Sequence, residues 1–413
     1  MSTGIDLCCA RRDQGAMTDF EATRAFFDLP EDIIYLDGNS LGPLPRNVPA
    51  RLEDVARNEW GQMVITGWNR AGWFEMPSRV GDRIGRLIGA EPGSVVVGDT
   101  LSIKVYQALA SALGMRPQRR KILSDTGNFP SDLYMADGLI KSLDRDHELV
   151  LVDPDTLEDA IDDSLAVLLV TEVDYRTGRR HNMKRLIRGA HEAGALVIWD
   201  VAHSAGALPV DVSDLAADFA VGCTYKYLNA GPGGPAFIYV APRHQQTARP
   251  ALSGWMGHAA PFEFDLDYRP GAGIERMRVG TPPILQIAML DAALDVWDSV
   301  DMNDVRARSI HLSELFISEV ERLCPDVEIA SPRDPEKRGS QVGVRFEHGY
   351  AAMQALIARG VIGDFRAPDI MRFGITPLYL TEDDIRRAVA ILADILKTRA
   401  WDHPRYARKE QVT

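Results

Sequence analysis

Cysteine is scarce in this chain, with Cys8, Cys9, Cys223 and Cys324 the whole complement in 413 residues. Four scattered thiols do not make a disulfide framework, and the adjacent pair lacks the CxxC spacing that begins a zinc site. No metal is expected, and a reducing cytoplasm is the expected setting. Long apolar runs are also missing. Without a stretch of about 18 uninterrupted apolar residues, no transmembrane helix is expected. The opening MSTGIDLCCARRDQGAMTDF has no apolar core of the signal-peptide kind. Positive charge is in deficit, with 46 Lys and Arg against 59 Asp and Glu and a net charge of −13. That balance excludes a nucleic-acid groove or an anionic membrane surface as the main partner. It leaves room for a local basic pocket that takes a phosphate or a carboxylate. Internal repeats and low-complexity stretches are absent.

What is present is an ordinary globular composition, 46% hydrophobic and 25% charged. The length exceeds one simple core, which implies two domains or one large domain with an appendage. A polar lead-in precedes a short helix around Phe20–Phe27 and a short strand at Ile33–Leu36. The turn cluster DGNSLGPLP follows, then a helical pattern from Arg46 to Trp60. From about 75 to 240 helix and strand alternate. The expected helices are Glu75–Ile88, Ser102–Leu113, Ser131–Leu143 and Met183–Ala193. The expected strands are Val95–Gly98, Lys121–Ser124, Glu148–Val152, Ala166–Thr171, Ala195–Trp199, Phe219–Cys223 and Ala236–Val240. Such alternation predicts a mostly parallel α/β sheet covered on both faces. Residues 285–323 read as largely helical. Strands near Glu328–Ala330 and Gln341–Phe346 then alternate with helices at Ala351–Arg359 and Glu382–Lys397, a plausible small α+β domain. The join falls near 295–305, though composition does not mark it.

Chemistry concentrates in GCTYKYLNAGPGG, residues 222–234. Lys226 stands three residues beyond a strand end, where partial desolvation lowers an amine's pKa and favours a Schiff base. On its own it reads as a solvated loop lysine, as most lysines are. In IWDVAHSAG, Asp200 closes a nearly pure apolar strand. A carboxylate there sits at the edge of the sheet where ligands of open α/β folds bind. Pyridoxal 5'-phosphate (PLP) needs such a partner for its ring nitrogen. Alternatively Asp200 is the N-cap of a helix over AHSAG. His203 could neighbour the ring or orient Asp200. Asp200 and Lys226 at the ends of successive strands are more specific than either alone. In GDTLSIKVYQAL, Thr100, Leu101 and Ser102 begin a helix whose free N–H groups suit an anion, or Asp99 or Thr100 simply caps it. In DTGNFPSDLY, Phe129 could lie on a ring and Asp132 could cap the next helix or contact a cofactor; a turn with a buried aromatic is the plain alternative.

Taken together, these segments resemble the kynureninases, a family of fold type I PLP enzymes, over roughly residues 30–400. The resemblance rests on YLDGNSLGP (35–43), GWNRAGW (67–73), NFPSDLY (128–134), VDYRTG (173–178), WDVAHSAGALPVD (199–211), GCTYKYLNAGPGG (222–234), LSGWMGH (252–258) and IMRFGITPLY (370–379). It implies a transferase-like fold: a large domain with a mainly parallel seven-stranded sheet covered by helices, and a smaller α+β domain. The implied division is an N-terminal segment 1–55 that packs with the small domain, a PLP-binding domain 56–298 and a C-terminal domain 299–413.

The resemblance also implies roles. Lys226 carries PLP as a Schiff base and later removes the substrate's α-proton. Asp200 pairs with the pyridine nitrogen with His203 beside it, Phe129 stacks on the ring, and Asp132 and Thr171 lie near the cofactor. Leu101, Ser102 and Tyr225 serve the phosphate, and Tyr225 assists proton transfer. Trp255 and Thr281 complete the phosphate site from the partner subunit of a homodimer. Arg372 holds the substrate α-carboxylate, with Asn39, Ser40 and Trp68 also at the substrate; on residue type alone Arg372 reads as a surface ion pair. Lys104 departs from the asparagine of relatives. Thr281 and Trp68 replace the asparagine and histidine of animal-type members, a bacterial-type pattern that favours kynurenine over its 3-hydroxy derivative. The implied reaction is hydrolysis of L-kynurenine to anthranilate and L-alanine in tryptophan catabolism, the kynurenine pathway that also feeds NAD biosynthesis. Rival readings are a cysteine desulfurase, for which Cys324 is the late candidate nucleophile, an aminotransferase, or a non-catalytic PLP-binding relative.

Overall fold

The computed structural model describes residues 17–408, so Cys8 and Cys9 lie outside the described residues. Strand β1 (Ile34–Tyr35) stands near the start. The large sheet then takes β2 (Val95–Val97), β3 (Lys121–Asp125), β4 (Glu148–Val152), β5 (Leu165–Thr171), β6 (Leu196–Asp200), β7 (Phe219–Cys223) and β8 (Ala236–Val240). Its order is β2-β8-β7-β6-β5-β3-β4. The β3–β4, β3–β5, β5–β6 and β6–β7 pairs are parallel, whereas β8 runs antiparallel to both neighbours. A mostly parallel seven-stranded sheet, expected from the alternation of elements and from the resemblance, is what forms.

β5 to β8 are buried along their whole length, which is why they read as unbroken apolar runs. Successive side chains point to opposite faces. Ile198, Phe219 and Val221 join one apolar cluster with Val105 and Leu109 of the helix Leu101–Met115. Val197, Trp199 and Ala220 join the other, with Ile84 of the helix Met76–Leu87 and Ile187 of the helix Met183–Glu192. Local signals set the helix starts. Pro130 opens Pro130–Leu143 at a position where its missing N–H costs nothing. Asn182 accepts from the Arg185 amide at the start of Met183–Glu192.

The remaining strands are β9 (Glu328–Ile329), β10 (Gln341–Arg345), β11 (Val361–Ile362), β12 (Asp364–Arg366) and β13 (Ile370–Gly374). β12-β13-β10-β9 form an antiparallel sheet. β11 pairs in parallel with β1, which ties the N-terminal segment to the last third of the chain. Thr23 Oγ1 donates to the Leu378 carbonyl at 2.8 Å, and Phe27 meets Tyr379 edge-on, which adds to that tie. The long helices Met302–Leu323 and Glu382–Thr398 pack beside this sheet, the second begun by a capping box of Thr381 and Asp384.

Most expected elements lie within two or three residues of their observed bounds. The helix expected from Arg46 to Trp60 starts at Val48, after Asn47, and widens to a π-helix over Val55–Trp60. β11, β12 and β13 had no counterpart in the sequence reading. No helix among the described residues is long and apolar enough to cross a membrane.

Candidate active site

Parallel strands end on one side of the sheet, and their C-terminal ends deliver the chemistry to one place. Thr171 ends β5, Asp200 ends β6, and Lys226 follows β7 by three residues. Beyond β3 the turn to the helix Pro130–Leu143 brings Asn128, Phe129 and Asp132 to the same edge. Lys226 Nζ lies 3.0 Å from His203 Nε2. The same nitrogen is 6.0 Å from the Phe129 ring centre and 5.8 Å from that of Tyr225.

Two buried carboxyls face this lysine. Burial pushes the Asp132 carboxyl well up, the nearby Asp200 adds to the shift, and Lys226 opposes it. Neither Asp132 oxygen has a hydrogen-bond partner. Burial also raises Asp200, against Lys226, the Ala202 amide and Thr171. One Asp200 oxygen accepts from the Ala202 amide at 2.7 Å within a turn; no helix follows β6, so the helix N-cap alternative does not form. The other lies 3.4 Å from Thr171 Oγ1. His203 is fully buried, and burial with the charges of Lys226, Arg372 and Arg366 drives its pKa well below the ordinary value. Its bonds go to Lys226 and Gln341 rather than to Asp200. A buried carboxyl with two orphaned oxygens is an unsatisfied arrangement. Asp132 thus leaves polar atoms at this edge for a bound group to satisfy, beside Asp200 and Lys226.

The phosphate end of such a group has a cradle as well. Thr100 is the extended N-cap of Leu101–Met115 but makes no side-chain cap bond, so the first amides of that helix stay open. Ser102 Oγ is 2.9 Å from Ser131 Oγ at the start of the neighbouring helix. Lys104 points elsewhere: buried, it donates to Asp99, Gln107 and the Met277 carbonyl. Tyr225 is partly buried, and the charge of Cys223 together with burial raises its hydroxyl pKa.

Arg372 lies in the middle of β13 and is 1% exposed, so it is no surface ion pair. Its Nε donates to Asp364 at 2.8 Å, its Nη2 to Asp364 and to Ser40 at 2.6 Å, and its Nη1 to the Tyr175 carbonyl at 2.6 Å. Arg366 and Ser40 also donate to Asp364. Beside them, burial and the Asp364 charge push Asp37 up to about 7 against Arg372, Ser40 and Arg366. The Tyr175 ring meets Phe129 edge-on at 5.2 Å, which joins this cluster to the Lys226 edge. Asn39 is fully buried and donates to Gln341 Oε1 at 3.2 Å. Trp68 packs edge-on against Trp73. Trp255 and Thr281 are exposed, and the Trp255 ring meets Phe262. Within the chain, no hydrogen bond or ring contact among the described residues joins Trp68, Trp255 or Thr281 to the Lys226 cluster.

Sequence reading gave no role to Asp364, Tyr175 or Gln341. Tyr175 stands in the quoted VDYRTG segment, a signal that was available; Asp364 and Gln341 carry none, because only folding brings them to Arg372 and His203. Cys324 is buried at the end of its helix, and burial lifts its thiol to about 11, the opposite of an activated thiolate.

Comparison with known proteins decides the family. Residues 305–392 match the kynureninase C-terminal domain. The kynureninase of Burkholderia pseudomallei strain 1106a is 50% identical over 397 residues, covering 94% of this chain and 95% of that one. The kynureninase of Pseudomonas fluorescens is 47% identical over the same span. The chain belongs to the kynureninase family. Solved structures more distant than these kynureninases share the fold. The cysteine desulfurase CsdA of Escherichia coli superposes with a TM-score of 0.78 at 20% identity, over 93% of this chain and all of that one. The apo cysteine desulfurase of Thermococcus onnurineus NA1 gives 0.76 at 19% identity, over 92% and 98%. A C-DES variant with glycine covalently linked to its PLP cofactor gives 0.77 at 18% identity, over 90% and 99%. At such identities the desulfurases establish the architecture that this kynureninase-family chain shares, not its reaction.

Proposed function

We propose that this chain is a PLP enzyme that hydrolyses L-kynurenine to anthranilate and L-alanine. Relationship to kynureninases over 94% of the chain carries the reading. The orphaned Asp132 and the Lys226–His203 contact supply a site that fits the cofactor. When bound, PLP supplies an electron sink for the carbanion at the substrate's α-carbon.

The chain's own residues do the rest. Lys226 holds the cofactor and afterwards takes the α-proton. Asp200 would pair with the ring nitrogen, Thr171 and Asp132 would lie near it, and His203 and Phe129 would neighbour the ring. The amides at Leu101 and Ser102, the Ser102 hydroxyl and Tyr225 hold the phosphate. The hydroxyl of Tyr225 would give its proton to the carbon released when the Cβ–Cγ bond breaks. Arg372 would take the α-carboxylate, with Ser40 and Asn39 also at the substrate. Trp68 contacts the aromatic end of the substrate.

We assign Trp255 and Thr281 to the partner's site in a homodimer, supported by the exposed aromatics Trp255, Phe262 and Phe264 on one segment. A division at 1–55, 56–298 and 299–413 follows sheet membership: β2 to β8 fall in the middle part, β9 to β13 in the last, and β1 pairs with β11. The role is placed in cytoplasmic tryptophan catabolism. Trp68 and Thr281 favour kynurenine over 3-hydroxykynurenine.

Anthranilate fluorescence from kynurenine and PLP-loaded enzyme tests the reading. Bound PLP without anthranilate would sink it and revive an aminotransferase or non-catalytic relative. A kcat/KM higher for 3-hydroxykynurenine than for kynurenine would overturn the substrate preference.

A further inference from the structure

His203 touches Lys226 through one ring nitrogen, and the other reaches across to the antiparallel sheet. His203 Nδ1 lies 3.1 Å from Gln341 Oε1. Gln341 opens β10 and is fully buried. Its amide orientation follows from its other partners. Nε2 donates to the Asp174 carbonyl at 3.0 Å, and a carbonyl can only accept. Oε1 therefore faces His203, and it also accepts from Asn39 Nδ2 at 3.2 Å. Since Oε1 has no proton to give, the proton of that contact belongs to His203 Nδ1. A neutral imidazole carries one proton, so Nε2 presents a lone pair to Lys226 Nζ.

The backbone is arranged to allow this approach. Gly178 has φ +72°, and a Cβ there would come within 2.9 Å of Gln341 Cγ. Gly374 is the partner of Gln341 across β10 and β13, and a Cβ there would strike the Asn39 amide. Two positions without side chains thus make room for one glutamine and the asparagine that supports it.

We propose that Gln341 is a positioning residue that holds His203 in the Nδ1–H tautomer, with its unprotonated Nε2 turned to Lys226. Burial first, then the charges of Lys226, Arg372 and Arg366, lowers the pKa of the ring, against the bond to Gln341. Gln341 acts through His203 and touches no reacting atom. The consequence for catalysis rests on the reading of Lys226 as the cofactor lysine; the tautomer does not.

The test is ring-nitrogen NMR of histidine-labelled full-length protein, as holoenzyme and after PLP removal, with the His203 signals assigned from their loss in His203→Asn. The expected result is a protonated Nδ1 and a bare Nε2 in both forms. Gln341→Met should abolish that preference, and Gln341→Glu, whose carboxylate accepts from Nδ1, should keep Nδ1 protonated. Gln341→Met should also lower kcat about tenfold, the scale seen when the partner that orients a metal-ligating histidine is lost, with KM changed far less. Gln341→Glu should recover part of kcat. A wild-type ring protonated at Nε2, or a Gln341→Met ring unchanged from wild type, overturns the proposal. So does a lost tautomer preference with kcat intact. Should Gln341→Met fail to fold, the wild-type spectrum and Gln341→Glu still decide the tautomer. If wild type makes no anthranilate, the functional reading fails while the NMR result stands by itself.

Discussion

Lys226 gains its chemistry from its neighbours. A lone lysine in a loop is unremarkable, but this one faces His203 at 3.0 Å and two carboxyls that burial has raised. Lys226→Ala should abolish turnover and the visible absorbance of the covalently held cofactor; survival of either removes Lys226 from its role. Arg372 is an equally local case. Its flat fork is held in place by Asp364, Ser40 and the Tyr175 carbonyl, so a substrate carboxylate would have to share or displace these partners. Arg372→Lys should raise KM for kynurenine tenfold to a hundredfold, the equivalent of a charged hydrogen bond of about 1.5–3 kcal/mol. An unchanged KM would remove the arginine from the substrate. Asp364 neutralises two arginines, and its pair with Arg372 is buried on both sides. Asp364→Asn should therefore cost about 3–5 kcal/mol in chemical denaturation, because it strands buried charge. A loss within experimental error would show that water or a rearranged Asp37 takes over.

Strands and helices were legible where periodicity and caps act locally. β5 to β8 announced themselves as apolar runs, and Pro130 and Asn182 marked helix starts. β12 escaped because Asp364 and Arg366 leave no apolar run, and β13 because Arg372 interrupts one: a buried Arg372 and a buried Asp364 lie opposite one another across the pair. No single-sequence signal announces that compensation. The Lys226–Asp200 edge could be read because both residues sit at strand ends. Gln341 could not, since its partners are about 140 and 300 residues away in the chain. Thr171 and Tyr175 show an intermediate case, visible as motif members but without contacts until the fold supplies them. At the element scale the capping box of the helix Glu382–Thr398 offers a simple check. Thr381→Ala should lower stability by about 1 kcal/mol, read from the denaturation midpoint, without altering PLP binding.

For the molecule as a whole, acid stability has an identifiable contributor far from the catalytic edge. Burial alone would push Asp218 up, but hydrogen bonds from His191, His244 and the Val197 amide hold its carboxyl well below the usual carboxylate range. A depressed carboxylate contributes stability above the unfolded-state pKa and loses it as pH falls toward the folded value. Wild type should hence lose stability below about pH 4, and Asp218→Asn should be weaker at pH 7 yet flatter in urea melts across that acid window. Parallel curves for the two proteins would assign acid unfolding to other carboxyls.

The segment between Val173 and Arg180 has a further consequence. Its Asp174 and Tyr175 carbonyls receive Gln341 and Arg372, and Gly339 donates to the Gly178 carbonyl. All three donors lie within the portion that matches the kynureninase C-terminal domain. That portion is therefore not an exchangeable cassette. A chimera that takes it from a distant relative imports the guanidinium and the amide but must find carbonyls presented at the same spacing by the recipient. Compatibility at this short stretch, rather than overall similarity, should decide which hybrids remain active.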